Sequence, residues 1–409
     1  MSEPRLFLFD DRRARRWAPF TLTRPAGELL FGCLTLRERA ERFFGVPCDA
    51  HVSRAALAGF DEPDASPVIP AEQIDTRGTR IMLCSRAVPS LPGRALRARE
   101  LPAGPAVLGI GGEPVGCVLP DGSPLPSLEW LRDPAVHPLQ GERVDLEGSV
   151  LGWPWDLVAG NARQLAADIA ALWPDERGPE GLVRIGSGTL SLGEGATIEP
   201  GTYVDTRAGP VRLARGARVE GPARLIGPLY MGPDSTVFGG TVGGSSIGHL
   251  CKLRGEISEC VFLGYANKAH DGYLGHALVG RWVNLGALTT NSDLKNNYRA
   301  VKVWTLDGEV DTRMLKVGCF LGDHVKTGIG TVLNTGTVVG AGSNLFGGAM
   351  PPTVVPPFSW GTGPDLRDHR LDKFLATTEL AMDRRGRALT PGVRRILEQA
   401  WRDTAGRRT

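Results

Sequence analysis

The most regular feature of the chain is an aliphatic residue at every sixth position in its second half. Between these positions the residues are mostly small, polar or glycine. A six-residue period fits neither an α-helix nor a long alternating strand. It predicts coils with three short faces, each pointing one side chain inward, and hence a left-handed parallel β-helix of hexapeptide repeats, with glycine, asparagine or aspartate where a corner needs a positive φ. The positions are Ile198 and Val204, then Leu213, Val219, Leu225, Met231 and Val237, and later Leu321, Thr327, Leu333, Val339 and Leu345.

The first half has the mixed pattern of an α/β domain. Short apolar runs predict strands at residues 6–9, 80–84 and 106–110, and the string TLRERAERFF predicts a helix at residues 35–44. Helical periodicity returns at residues 155–172, and again after the coils at residues 365–385 and 391–402. A helix over the last coil would protect its open edge.

These patterns divide the chain into four parts and predict the fold class α/β plus β. The first is a Rossmann-like α/β domain at residues 1–154, and the second a helical linker at residues 155–182. The β-helix follows at residues 183–360, and a helical cap closes the chain at residues 361–409.

Composition excludes several classes of protein. With 47 basic and 45 acidic side chains the net charge is +2, which argues against a general binder of nucleic acid. The N-terminal apolar run is too short for a signal peptide, and no 18-residue apolar stretch occurs, so we expect a cytoplasmic protein without a membrane partner. The seven cysteines form no CxxC pair, and we expect buried free thiols.

Residues 255–298 break the six-residue register and carry the candidate chemistry. His270 follows Lys268 and Ala269, Tyr273 comes three residues later, and Asn284 lies eleven residues further on in the string VNLGA. This pattern resembles the acetyltransferase domain of bifunctional UDP-N-acetylglucosamine pyrophosphorylase/glucosamine-1-phosphate N-acetyltransferases. The strings GYANKAHDGYLG, NLGALTTNSDLKNNY, NTGTVVG and PPFSWG resemble the alternative bacterial version of this enzyme more closely, over nearly the whole chain.

The resemblance implies an acetyl-CoA-dependent acyl transfer. A sugar amine attacks a thioester only when it is neutral, so a base with a pKa near 7 has to accept its proton, and histidine suits this task. By resemblance His270 is that base, and Glu256, which matches a glutamate of the family, orients its imidazole. Where the family has a lysine two residues after this glutamate, the chain has Ser258. The substrate-binding residues implied are Lys268, Tyr273, Asn284, Asn291 and Lys295, the lysines supplying charge for a sugar phosphate or coenzyme A.

The amino-terminal pattern resembles the divergent sugar nucleotidyltransferase-like domain of the same alternative family. Such transferases normally follow their first strand with a glycine-rich loop that holds nucleotide phosphates. Here the first strand runs into Asp10, Asp11, Arg12 and Arg13 without a glycine. We expect Arg24 to clamp a phosphate, Arg12 and Arg13 to meet a nucleoside triphosphate, and Asp10 or Asp11 to help hold Mg²⁺. The missing glycines leave open a domain that binds nucleotides weakly or not at all.

The resemblance therefore predicts a homotrimeric bifunctional enzyme of UDP-N-acetylglucosamine synthesis. It would acetylate glucosamine-1-phosphate from acetyl-CoA and transfer a uridylyl group from UTP to the sugar 1-phosphate. One alternative is an acyltransferase acting on another amino sugar, with an inactive nucleotidyltransferase-like domain. Another is a non-catalytic scaffold or regulatory subunit. The spacings around His270 speak against a scaffold in the second half, and the lost glycine loop speaks for it in the first.

Overall fold

The amino-terminal region is built on a mixed β-sheet. The structure, a computed structural model, describes residues 3–91, 100–137, 139–363 and 365–407. In these residues the sheet runs, in spatial order, through Glu142–Asp145, Ala106–Ile110, Glu113–Leu119, Arg80–Cys84, Arg5–Phe9, Cys48–Val52 and Val68–Ile69. Glu113–Leu119 is antiparallel to both of its neighbours, and the other pairs are parallel. The three predicted strands are confirmed, and the α/β class with them.

The helices of this region begin and end where local signals place them. Helix α1 (Leu36–Phe44) starts at Thr35, whose side chain caps it together with Glu38, and ends at Gly45 with φ of 73°. The helix expected at residues 155–172 is interrupted at Gly160. The other helices here are α2 (Leu128–Arg132), α3 (Asp156–Ala159) and α4 (Asn161–Leu172), with 3₁₀ turns at Ala14–Arg16, Phe20–Leu22, Ala26–Glu28, Ala55–Leu57 and Ala71–Gln73. Two small strand pairs join Leu30–Phe31 to Leu34–Thr35 and Ala87–Pro89 to Gly148–Val150.

The second half is the predicted left-handed parallel β-helix. In the described residues its coils stack into three parallel sheets, which we call the first, second and third faces in the order in which the chain visits them. The first face contains Val183–Ile185, Thr202–Asp205, Ala223–Ile226, Gly240–Gly243, Glu256–Ser258 and Tyr273–Gly275. The second contains Leu190–Leu192, Val211–Leu213, Leu229–Met231, Ser246–Ile247, Val261–Phe262, Leu278–Val279, Phe320–Leu321, Val338–Val339 and Val354–Val355. The third contains Thr197–Ile198, Arg218–Val219, Thr236–Val237, Lys252–Leu253, Asn267–Lys268, Asn284–Leu285, Lys326–Thr327, Asn344–Leu345 and Ser359–Thr362, with Asp365–Asp368 paired antiparallel at its end.

The six-residue series does point inward, as predicted. Leu213, Leu225, Met231 and Val237 are fully buried, and the members from Leu321 to Leu345 are at most 4% exposed. Only Ile198, near the open end of the stack, is partly exposed. All seven cysteines are buried and free, which confirms the expectation for the thiols.

The glycines that directly follow inward residues serve close stacking rather than a positive φ. A Cβ on Gly322 would lie 2.6 Å from the Ala341 nitrogen, and one on Gly340 would lie 2.3 Å from the Pro357 nitrogen. The left-handed backbone comes two residues later, at His324 (φ 62°) and Gly342 (φ 73°). A glycine with a positive φ thus occurs at a corner as expected, at Gly342, whereas the glycines after inward residues are needed because the next coil leaves no room for a side chain.

The break in the six-residue register reflects shorter coils, not the end of the stack. On the second face Leu213, Met231, Ile247 and Phe262 are register partners on four successive coils. Their spacings show that the coils shorten from eighteen residues to sixteen and then to fifteen. A long insertion then precedes Phe320–Leu321 and forms an antiparallel hairpin of Lys302–Thr305 and Gly308–Asp311. A further parallel pair, Thr290–Asn291 with Val332–Leu333, continues the stack beside the first face.

The amino-terminal region packs on the second face of the β-helix. Outward apolar residues of that face, such as Val261 and Phe320, share one core cluster with Trp17, Phe20 and Leu157. The Ser246 hydroxyl donates a hydrogen bond of 2.7 Å to the Gly32 carbonyl across this contact. The second face is thus buried between the two halves.

Helices close the far end of the stack. Helix α5 (Leu371–Asp383) and helix α6 (Pro391–Asp403) pack through Phe374 and Leu397 against Phe358 at the last corner. The helix predicted from residue 365 starts later, because Asp365–Asp368 adds a strand to the third face. A 3₁₀ turn follows at Ala405–Arg407, and residues 364 and 408–409 of the predicted cap lie outside the described part. Within the described residues, no helix combines the length and apolarity needed to cross a bilayer. The exact domain boundaries stay a prediction.

Candidate acyl-transfer site and arginine cleft

His270 lies on the corner between the third and the first faces. The strand Asn267–Lys268 leads into this corner, and Tyr273–Gly275 leaves it. The imidazole is exposed to solvent. Glu256 of the preceding coil is the register partner of Tyr273, so both lie side by side on the first face just beyond the histidine. The structure thus brings His270, Glu256 and Tyr273 to one edge of the β-helix.

Lys268 is buried and does not face a substrate. It is 0% exposed and follows Leu253 in an inward column of the third face. Its ammonium group donates hydrogen bonds to the carbonyls of His270 and Asp271, the latter at 3.0 Å. Burial lowers the pKa of Lys268 to about 8, and Asp271 opposes this shift. The expected contact with a phosphate is therefore corrected, because this cation holds the backbone of the corner instead.

Tyr273 belongs to a polar cluster that the sequence motifs did not indicate. Its hydroxyl donates to Asp293 Oδ2 at 2.9 Å, and the same oxygen lies 2.8 Å from His276 Nδ1. The hydrogen bond from His276 lowers the pKa of Asp293, although burial opposes it. Burial and the Asp293 contact raise the pKa of Tyr273, which keeps the phenol protonated. On the neighbouring coil, burial raises the pKa of Glu259. A His–Asp pair of this kind is a second candidate for proton transfer.

Asn291 and Lys295 have positions that differ from the expected contacts with substrate. Asn291 is 1% exposed, and its amide oxygen and nitrogen both bond the backbone of Gly275 at 2.9 Å. The Asn291 side chain therefore makes hydrogen bonds to Gly275 of the kind that a neighbouring strand would make with its backbone. Lys295 donates to the Ala300 carbonyl at 3.1 Å and lines a cavity at the base of the insertion, beside Lys302 and Asn334.

Asn284 is exposed on the outer surface of the third face. Its amide oxygen accepts a hydrogen bond of 2.9 Å from Asn267 of the preceding coil. Both side chains line a groove between this face and helix α5. Of the implied substrate-binding residues, Asn284 is therefore open to a ligand, but on the side of the His270 corner opposite to Tyr273.

Arg24 is an internal clamp and not a phosphate ligand. Its guanidinium is 1% exposed, and all three nitrogens bond the carboxylates of Asp323 and Glu62 at 2.8–3.0 Å. These carboxylates raise the pKa of Arg24 despite its burial. Because Asp323 belongs to the β-helix, this arginine ties the two halves together, and the expected phosphate contact is corrected.

Asp10 and Asp11 do not fit the expected Mg²⁺ site. Both are at most 4% exposed. Asp11 accepts bonds of 2.6–3.0 Å from the Arg86 guanidinium and one of 2.8 Å from the Ala14 nitrogen. Asp10 accepts from Ser53 and from the Ala26 nitrogen. Their oxygens already bind protein donors, so these residues organise the loop instead of offering ligands to a cation.

An arginine-rich cleft lies at the carboxyl edge of the amino-terminal sheet. Arg12 and Arg13 are exposed there, and their expected contact with a nucleoside triphosphate stays a prediction. The cleft of about 880 Å³ also contains residues that follow other strands. Arg86 comes after Arg80–Cys84, and Gly112 comes after Ala106–Ile110 with φ of 89°. Ligands of parallel α/β sheets bind at this edge. The further lining residues include the cationic Arg16, Arg86 and Arg132, the neutral Gly112 and Trp153, and the acidic Glu113, Asp133 and Asp307.

Sequence reasoning missed His276, Asp293, Arg86 and Arg132. For Arg86 a signal existed, because it is the second residue after a predicted strand, as Asp11 is. For His276 the signal is its place at the corner after Tyr273–Gly275, six residues beyond His270. Nothing in the spacing marks Asp293, whose role depends on an insertion.

Comparisons with known proteins find the same kind of relatives as the motifs. Residues 6–176 match the model of a family described as sugar nucleotidyl transferase. The bifunctional sugar-1-phosphate nucleotidylyltransferase/acetyltransferase of Sulfurisphaera tokodaii is 27% identical over 200 residues, which cover 49% of this chain and 45% of that protein. The bifunctional protein GlmU of Azoarcus sp. is 30% identical over 172 residues, covering 40% and 34%. The chain thus spans less than half of the length of these relatives.

A solved structure of an Arabidopsis UDP-N-acetylglucosamine acyltransferase covers 51% of this chain and 78% of its own. Its identity is 12% and its TM-score 0.24, too low to support an argument. The family model and the curated relatives support a transferase of the sugar nucleotidyltransferase and acyltransferase kind. The chain is therefore similar to GlmU-type bifunctional proteins, which confirms the resemblance drawn from its motifs.

Proposed function

We propose that the chain transfers an acyl group from acetyl-CoA to the amine of an amino-sugar phosphate, with glucosamine-1-phosphate as the first candidate. The observation that carries the proposal is the exposed His270 on a corner, next to the paired Glu256 and Tyr273. The similarity to GlmU-type proteins supports the substrate class. We also propose that the chain works as a cytoplasmic homotrimer, as the resemblance implies.

The chemistry uses the histidine as a base. The neutral amine attacks the thioester carbonyl, a C–N bond forms, and His270 accepts the proton that the amine loses. The C–S bond then breaks, and the proton passes to the leaving thiolate. Lys268 fixes the carbonyls of residues 270 and 271, so it positions the imidazole through the backbone. Glu256 remains the proposed partner that orients the ring.

One experiment separates the two histidines. Purified protein is given glucosamine-1-phosphate and acetyl-CoA, and free thiol is measured against pH. We expect His270→Gln to lower kcat by about 10²–10⁴-fold, the usual contribution of a general base. His276→Gln is the matched control and should retain turnover within about tenfold. If the large loss follows His276 instead, the pair with Asp293 is the base and this assignment fails.

We further propose that the arginine cleft binds the phosphates of a nucleoside triphosphate and that the amino-terminal domain transfers a uridylyl group from UTP. The cluster of exposed guanidinium groups at the carboxyl edge of the sheet supports it, because such groups bind phosphates bidentately. Mg²⁺ would supply charge neutralisation with the triphosphate, and the described residues around Asp10 offer it no free carboxylate.

Pyrophosphate release tests this second activity. Wild-type protein with UTP, N-acetylglucosamine-1-phosphate and Mg²⁺ should release pyrophosphate, and Arg13→Met should reduce it about tenfold or more. No release from wild type, together with no UTP binding, would leave an acyltransferase with a silent first domain. Acetyl transfer is then measured with other amino sugars as acceptors. An acyltransferase with a silent first domain acetylates at least one of them, whereas a non-catalytic scaffold acetylates none.

A further inference from the structure

A groove on the third face, which includes the strand that begins three residues before His270 at Asn267, is lined by cations and, among the described residues, by no acidic side chain. It lies between the third face of the β-helix and the end of helix α5, and it encloses about 450 Å³. Its floor is one outward row of the third face, in which Lys252, Asn267, Asn284 and Lys326 are consecutive register partners. Its other wall carries Arg384 and Arg385, and none of the described residues that line it is an aspartate or a glutamate.

The four cations lack carboxylate partners. Within the described residues, none of these four side chains takes part in a salt bridge. Arg385 donates one hydrogen bond, of 3.3 Å, to the Leu250 carbonyl. Burial lowers the pKa of Lys326 to about 8, and burial together with the charge of Arg384 lowers the pKa of Arg385. Like charges gathered in a partly buried cavity destabilise one another, and an anionic ligand relieves this repulsion.

The arrangement also has a definite extent. Neighbouring strands lie about 4.8 Å apart, so Lys252 and Lys326, three rungs apart, stand about 14 Å from each other at their Cα atoms. Between them the two asparagines bond each other through one amide contact of 2.9 Å. Cations at both ends with amides between them suit a phosphorylated ligand that carries polar groups beside its phosphate.

We propose that this groove binds the phosphate of a phosphorylated small molecule and delivers the rest of it to the His270 corner. The strand that contributes Asn267 runs directly into this corner, which lies three residues further along the coil. Delivery of the ligand to His270 rests on the proposed acyl transfer. Binding of the phosphate in the groove does not depend on turnover. Two substrates share the chemistry, because an amino-sugar phosphate and coenzyme A both carry anionic phosphate groups.

The test is a binding titration of the full-length protein by calorimetry. The probes are glucosamine-1-phosphate and coenzyme A, with glucosamine and pantetheine as their counterparts without phosphate. The variant is Lys252→Met combined with Lys326→Met, which keeps the aliphatic stems. Lys373→Met, on an exposed lysine of helix α5 outside the groove, is the matched control.

We expect the double variant to bind at least one phosphorylated probe about tenfold to a hundredfold more weakly, as the loss of a charge-assisted hydrogen bond predicts. The control should bind like wild type, and the counterparts without phosphate should not distinguish the proteins. A loss confined to glucosamine-1-phosphate assigns the groove to the acceptor, and a loss confined to coenzyme A assigns it to the donor. Equal affinity of wild type and double variant for both, or no binding of either, overturns the proposal.

Turnover separates this proposal from the function on which it rests. If acetyl transfer proceeds with an unchanged KM for both substrates in the double variant, the groove is not their phosphate site and the proposed function stands. If no acetyl transfer occurs but the double variant still loses affinity, the proposed function fails and the phosphate site remains.

Discussion

Lys268 stands in a mostly aliphatic inward column and holds the backbone that carries His270. Its inward direction could not be read from the string NKAHDGY, because the coil that contains it has shrunk to fifteen residues and the six-residue count no longer applies. His270 lies on a corner and Tyr273 begins the strand that leaves it, while their catalytic and substrate-binding roles stay predictions. Asp293 was not predicted, because an insertion brings it to Tyr273 from twenty residues away.

The burial of Lys268 predicts a specific pH dependence of stability. Its pKa is lowered to about 8 in the folded chain from an ordinary value of 10.5. Between these values the unfolded chain keeps a proton that the folded chain has released, so the free energy of unfolding should rise with pH. Lys268→Met removes this gain. Urea unfolding at pH 7.5 and 9.5 should therefore show wild type gaining stability relative to the variant at the higher pH.

The exposed Lys373→Met variant supplies the control for this measurement. Its stability relative to wild type should be the same at both pH values. A difference between wild type and Lys268→Met that does not change with pH would mean that the ammonium group is not buried as described.

At the scale of elements, the coil period was readable and its interruptions were not. A regular column such as Val219, Val237 and Leu253 repeats because each coil must bury one side chain against the next. The hairpin of Lys302–Thr305 and Gly308–Asp311 has no such period. The late start of helix α5 was also missed, since Asp365–Asp368 instead pairs antiparallel with the adjoining strand Ser359–Thr362, which the helical periodicity did not indicate.

Two adjacent residues of the third face test the direction of the side chains. Val237 is fully buried between Val219 and Leu253, and Thr236 points outward between Arg218 and Lys252. Val237→Asp should lower the free energy of unfolding by at least about 4 kcal/mol, because it buries a charge without a partner. Thr236→Asp should change it by less than about 0.5 kcal/mol. Thermal unfolding measures both, and similar melting of the two variants would contradict the assigned register.

At the scale of the whole molecule, the two halves are joined by a buried ionic cluster. Arg24 reaches Asp323, which lies 299 residues further along the chain, and Glu62 also bonds Arg281 of the β-helix. Although burial opposes it, the charges of Arg24 and Arg281 lower the pKa of Glu62. Local sequence patterns do not reveal a contact between residues this far apart in the chain. For this reason Arg24 was expected to bind a phosphate and not a carboxylate of the β-helix.

Replacing the central arginine should weaken the whole assembly. Arg24→Met leaves the Asp323 and Glu62 carboxylates buried with fewer partners, which costs about 3–5 kcal/mol in comparable buried pairs. Arg13→Met, in the exposed part of the cleft, should change stability by less than about 0.5 kcal/mol. Urea unfolding gives both values. If Arg24→Met unfolds at the same urea concentration as wild type, the cluster does not hold the halves together.

The burial of the second face restricts how copies of the chain can meet. The chain's own first half covers the second face of the β-helix. Two surfaces remain for contact with a neighbouring copy: the first face, where Tyr203 and Glu256 are exposed, and the part of the third face that helix α5 does not cover. These two surfaces differ, so association through both is head-to-tail, and such contacts close into a ring only when the rotation between neighbours divides a full turn. The edge shared by the two surfaces carries His270, which would then lie at every junction of the ring.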